Sequence, residues 1–129
     1  SIQKGGYLLS HEEDADITLV ASGSEVQLIL AAAKSIQNDG FKVNIASIPC
    51  LDKFYTQDKA YRDSVVDPDI PKLVVEALHP DSWQGLINLN DTIIGMKTFG
   101  ESAPANELMI KFGFTEENIV TEAKKLLKK

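Results

Sequence analysis

Cysteine occurs once in these 129 residues, at Cys50, so no disulfide can form within the chain and a reducing, cytoplasmic setting is expected. Histidine occurs twice, at His11 and His79. Neither belongs to an H-E-x-x-H pattern or a Cys/His cluster, so zinc ligation has no support in the sequence. Basic residues are outnumbered, 13 against 19 acidic, and the net charge of −6 would repel nucleic acid and anionic membrane surfaces. No apolar run approaches the ~18 residues of a membrane helix, and no signal-peptide pattern opens the chain. Internal repeats, low-complexity tracts and linker-like stretches are also missing, as are the glycine spacings that cradle phosphates.

What remains is an ordinary globular composition, 43% apolar and 25% charged, in a length that suits one domain over residues 1–129. A chain of this size buries roughly two-thirds of its unfolded surface and needs neither metal nor disulfide to fold. It opens at Ser1 instead of methionine and enters strand-like sequence by Tyr7, as a piece of a longer protein would.

Strand and helix patterns alternate. Tyr7 to Ser10 predicts a short strand behind Gly5-Gly6, and His11 to Asp14 an acidic turn. Ile17 to Ala21 is a continuous apolar run, as in a strand buried on both faces. Glu25 to Asn38 reads as a helix closed by Asn38-Asp39-Gly40, whose Asn and Gly suit a left-handed cap. Lys42 to Ser47, Leu73 to Leu78 and Thr92 to Met96 predict further strands. Asp58 to Val66 predicts a short helix, Ser82 to Leu86 a short helix or turn, and Pro104 to Lys111 a proline-opened helix. Thr115 caps a last helix whose Ile119, Val120, Ala123, Leu126 and Leu127 form one stripe. Glu116 and Glu117 at its start and lysines near its end complement the helix dipole.

Such alternation implies a doubly wound α/β domain, with a mainly parallel sheet, right-handed crossovers and helices on both faces. Ligands in such sheets sit beyond the carboxyl ends of the strands. Here those ends are Ser22-Gly23-Ser24, Pro49-Cys50, Leu78-His79-Pro80 and Lys97-Thr98-Phe99.

None of these edges carries a strong chemical signature. Gly23 stands alone and no lysine follows it, whereas Ser24 with Gln27 makes a capping box and Glu25 places a carboxylate in the first helical turn. Capping therefore outweighs anion binding at Ser22, Gly23 and Ser24. Glu76, His79 and Asp81 could form an acid–base group, but a hydrogen-bonded structural Glu76 is favoured. Cys50 has no neighbouring histidine in sequence and reads as a small packed thiol. Phe99 to Thr115, with Trp83 and Leu86, suggests a shaped surface and no catalytic constellation. The Glu25–Asn38 helix is apolar nearly all round, through Val26, Leu28, Ile29, Leu30, the alanines and Ile36. A helix of that kind is usually buried on more than one side, here by something beyond the chain.

Five stretches stand out in order and spacing: ASGSEV (Ala21 to Val26), QDKAYRDSV (Gln57 to Val65), VEA (Val75 to Ala77), GMKTFGESAPA (Gly95 to Ala105) and FGFT (Phe112 to Thr115). Together they resemble the C-terminal domain family of transketolase. The resemblance runs from Gly5-Gly6-Tyr7 to the final helix. Deoxyxylulose phosphate synthase and the pyruvate dehydrogenase β chain have similar domains, but FGESAPA favours transketolase. Two positions depart from the family pattern. Asp91 stands where a glycine is expected after Leu89-Asn90, at a cost if the backbone is left-handed there. Cys50 follows Pro49 where a small hydroxyl residue is usual.

The resemblance implies a three-layer α/β/α fold with a mixed, mostly parallel five-stranded sheet, Tyr7 to Ser10 being the antiparallel strand. It implies a parent homodimer that transfers a two-carbon ketol unit from ketose phosphates to aldose phosphates, using thiamine diphosphate and a divalent cation (magnesium or calcium). The residues that hold these groups belong to two preceding domains in this family. No catalytic, cofactor-binding or metal residue is therefore expected here, and the role implied is packing on the upstream domains and the second subunit. A stand-alone anion-binding module and a docking domain of a related thiamine enzyme are the alternatives.

Overall fold

The computed structural model describes residues 4–22, 25–76, 83, 85–87, 91–95 and 115–127. Five strands form one sheet: β1 (Tyr7–Ser10), β2 (Ile17–Ala21), β3 (Val43–Ser47), β4 (Lys72–Glu76) and β5 (Thr92–Gly95). Their order is β1-β3-β2-β4-β5. β1 runs antiparallel to β3, with a register shift between Leu8 and Ser10, and the other neighbours are parallel. The mixed five-stranded sheet expected from the family resemblance is therefore present, with the predicted odd strand.

β2, β3 and β4 are buried along their whole lengths, although Asn44, Ser47, Lys72 and Glu76 interrupt the apolar pattern of β3 and β4. Alternate residues of β2 feed two cores. Ile17, Leu19 and Ala21 join one with α1 (Val26–Asn38), while Val20 joins the other with α2 (Leu51–Tyr55) and α3 (Lys59–Val65). The last helix, α4 (Glu116–Leu127), lies on the α1 side and buries Ile119, Ala123 and Leu126, as its stripe predicts. Its cap is also as predicted, with Thr115 Oγ1 accepting from the Asn118 N–H at 3.1 Å.

α1 ends in the left-handed cap that Gly40 promised, at φ +96°. The Gly40 N–H donates to Gln37 O and the Phe41 N–H to Ile36 O, the paired closure of a Schellman motif. Its start differs from expectation. Glu25 occupies the cap position itself, is 1% exposed and makes no side-chain cap bond, so it does not sit in the first turn. Ser24 lies outside the described residues. Part of the apolar width of α1 is taken up within the chain, through Ile29, Ala32, Ala33 and Ile36, while Val26, Leu28 and Leu30 stay half-buried. α1 packs on β2, β3 and α4, and Leu9 is the single exposed large hydrophobic among the described residues.

α2 was not foreseen. Leu51, Phe54 and Tyr55 stand at helical spacing, but five residues between Pro49 and Gln57 give a weak periodic signal. Phe54 from α2 is fully buried and meets Tyr61 of α3 edge-on, ring centroids 6.2 Å apart. The α3 start is as predicted, with Asp58 Oδ1 accepting from the Tyr61 N–H at 2.9 Å. Gly5 explains the glycine pair ahead of β1. At φ +86°, a Cβ there would lie 2.5 Å from Cys50 O and Phe54 N, so this strand lead-in can press against α2 only without a side chain. Among the described residues, no helix is long and apolar enough to cross a membrane.

Candidate functional site

The chain leaves β2 toward α1 on one face of the sheet and leaves β3 toward α2 on the other. A crevice opens at the carboxyl edge where these paths part. It measures about 290 Å³ and is lined by Ser22, Pro49, Cys50, Asp52, Glu76 and Trp83 among others. Two of the predicted strand ends, Ser22 and Pro49-Cys50, thus meet at one cleft. Gly23, Ser24, Leu78, His79, Pro80, Asp81 and Lys97 to Phe99 lie outside the described residues, so the Glu76–His79–Asp81 grouping is not placed.

Glu76 closes the floor. It is 8% exposed, and its Oε1 accepts from Trp83 Nε1 at 3.0 Å in a buried hydrogen bond. Ser22 Oγ donates to Oε2 at 3.5 Å, near the outer limit of such a bond. Trp83 itself is fully buried and belongs to the same core as Val74 and Phe54. A carboxylate held this way braces the junction between β4 and the second core, which is the structural role favoured for Glu76. Trp83 was seen in the sequence as apolar area; its indole N–H was missed because the pairing depends on which strand end lies beneath it.

Cys50 corrects another expectation. It is exposed, not packed, because it caps the five-residue α2 and points its side chain away from the two cores. The Cys50 N–H donates to Gly5 O at 3.1 Å, so the residue's backbone does the structural work. Asp91 is not left-handed either. Asp14, at φ +56°, is the one non-glycine residue with positive φ among those described.

The electrostatics of the cleft run against an anion. Glu76 and Asp52 line it, no Lys or Arg does so among the described residues, and Glu25 lies buried at the α1 start. A second depression of about 440 Å³ sits at the opposite, amino edge, with Glu12, Glu13, Asp14, Asp63 and Asp67 around Asn44. Asn44 Oδ1 accepts the Glu12 N–H at 2.7 Å and thereby anchors the acidic turn after β1. No group of three or more His, Cys, Asp or Glu is placed to hold a metal ion among the described residues. Neither depression suits a diphosphate with its divalent cation.

A model of the transketolase-like C-terminal domain family matches residues 5–115. The chain belongs to the transketolase C-terminal domain family. Among curated relatives, Transketolase 1 of Vibrio vulnificus (strain YJ016) is 45% identical over 128 residues, which is 98% of this chain and 19% of that protein. Transketolase 2 of Aliivibrio fischeri is 45% identical over 129 residues, again 98% of this chain and 20% of the relative. The chain thus spans about a fifth of the transketolases it matches. Among solved structures, transketolase from Leishmania mexicana superposes with a TM-score of 0.87 at 35% identity, over 98% of this chain and 18% of its own. Within this transketolase C-terminal domain the motifs acquire reasons. Gly5-Gly6 permits the contact with α2, QDKAYRDSV supplies the Asp58 cap and Tyr61, and Glu76 of VEA receives Trp83. FGESAPA falls outside the described residues.

Proposed function

We propose that residues 1–129 form a single domain at the carboxyl terminus of a longer transketolase and that they support its assembly without touching the reacting groups. The longer protein would transfer a two-carbon ketol unit from ketose phosphates to aldose phosphates, the chemistry of the pentose phosphate pathway, in the cytoplasm. It would use thiamine diphosphate and a divalent cation held by upstream domains, as a homodimer. One observation carries this reading: nearly the whole chain aligns with only about a fifth of the transketolases it matches, as one domain of such an enzyme would. The carboxylate-lined cleft supports it too, since Glu76 is committed to Trp83 and no described residue there could neutralise a phosphate. For the same reason the stand-alone anion module is not favoured at this edge. We assign no catalytic, cofactor-binding or metal residue to the chain.

The test is an assay of the purified 129-residue protein with thiamine diphosphate, magnesium, a ketose phosphate and an aldose phosphate. No turnover above a blank is expected, and the same assay on the chain joined to the remaining domains should show ketol transfer. Turnover by the 129 residues alone overturns the proposal.

A further inference from the structure

Asp39 and Gly40 form the one Asp-Gly pair in the chain, and no asparagine precedes a glycine. Such a pair brings together the reactants for isomerisation of the main chain, a side-chain carboxyl group and the next backbone nitrogen. Glycine has no Cβ to crowd the ring that joins them, and nothing lies within 4 Å of where a Cβ on Gly40 would sit. The Asp39 side chain is 46% exposed, so water reaches it.

Three features of the fold hold these reactants apart. With Asp39 at ψ 4°, the Gly40 nitrogen lines up with the Asp39 nitrogen and is turned from the Cβ that carries the carboxyl group. The Gly40 N–H is committed to Gln37 O at 2.9 Å in the closure of α1. The Asp39 carboxylate meets Lys124 Nζ of α4 at 2.6 Å.

We propose that Asp39 is an isomerisation site kept dormant by the α1 closure, with Lys124 as its guard. When the closure opens, the Gly40 nitrogen attacks the Asp39 carboxyl carbon. A C–N bond forms, and one carboxyl oxygen leaves as water with the amide proton and a proton from solvent. Water then opens the cyclic imide. Attack at the side-chain carbonyl restores aspartate, whereas attack at the main-chain carbonyl leaves isoaspartate, whose backbone runs through the former side chain. One water is lost and one regained, so the mass is unchanged. The isomer lengthens the main chain by a carbon atom where α1 turns, and the paired closure at Gly40 and Phe41 cannot re-form in register.

The test incubates the 129-residue protein in neutral buffer, native or unfolded in urea, and digests it with trypsin. Isoaspartate is read as a second chromatographic peak, at unchanged mass, for the peptide Ser35–Lys42. The unfolded chain should convert fastest and the native wild type slowest. Native Lys124→Ala should convert about 1.5–5-fold faster than native wild type, the span expected for one exposed ion pair. Hydrogen exchange at the Gly40 amide should rise by the same factor, because both processes need that N–H released. Equal rates in native and unfolded wild type, or no second peak even in urea, overturn the proposal. So does Lys124→Ala converting at the wild-type rate, or converting faster while Gly40 exchange stays unchanged.

Discussion

Lys72 and Asp91 meet in an ion pair closed to water, with Nζ 3.0 Å from Oδ2 and side chains 1% and 3% exposed. The other carboxylate oxygen accepts the Lys72 backbone N–H at 2.9 Å, and Nζ also reaches Ile70 O at 3.4 Å. One aspartate thus fastens the start of β4 to the start of β5. Asp91→Ala strands a buried ammonium and should cost about 3–5 kcal/mol in urea unfolding. The double variant Lys72→Met/Asp91→Leu should recover most of that loss, because apolar packing can replace a buried pair. An unmoved unfolding midpoint in Asp91→Ala would show that the pair does not hold the strands.

Trp83→Phe removes the indole donor from a nearly buried Glu76. The expected cost is about 1–3 kcal/mol, since the carboxylate loses a partner it cannot replace with bulk water. Far-UV circular dichroism is the readout, because the variant has no tryptophan left. A cost no larger than that of an exposed substitution would mean the bond contributes nothing.

Gly5 and Gly40 separate backbone strain from steric conflict. Both have positive φ, but nothing lies within 4 Å of a Cβ on Gly40, whereas a Cβ on Gly5 would strike Cys50 O and Phe54 N at 2.5 Å. Gly40→Ala should cost about 1–2 kcal/mol, the penalty of the left-handed conformation alone. Gly5→Ala should lower the melting temperature further. Equal shifts would remove the contact with α2 from the explanation.

Leu126 is 6% exposed and packs with Ile119 and Ala123 into the core shared with α1. Leu126→Ala should cost about 2–5 kcal/mol by loss of burial and creation of a cavity. A melting curve identical to wild type would show that α4 is only loosely laid on the domain.

Tyr55 titrates above its ordinary value of 10.0, chiefly because burial disfavours the phenolate, with a smaller push from Asp52. A backbone hydrogen bond at Gly85 and the Arg62 charge act in the other direction. The unfolded chain ionises first as pH rises. The contribution to stability is therefore intact below about pH 10 and disappears as pH passes through the raised folded-state value. Tyr55→Phe should flatten that alkaline loss in stability, and a phenolate titration of the native protein should show Tyr55 ionising late. An alkaline unfolding profile unaltered by Tyr55→Phe would contradict this.

Much of the fold was legible because local signals were strong. Ile17 to Ala21 is apolar except for Thr18, in a strand buried on both faces, and the Thr115 cap and Gly40 closure are short-range devices. α2 was not legible, being too short for a period to register. Cys50 was misread because its exposure depends on capping a helix that periodicity did not reveal.

By itself, the order of residues determined the alternation of strands and helices, the excess of negative charge and the resemblance to one family, since each follows from neighbours along the chain. Only the tertiary structure decided that Ser22, Cys50 and Glu76 share one cleft, that Glu76 answers Trp83 and that Asp91 answers Lys72. Those outcomes depend on which strands become neighbours in the sheet. Pairing is settled by the simultaneous burial of two cores, and no stretch of sequence contains that condition on its own.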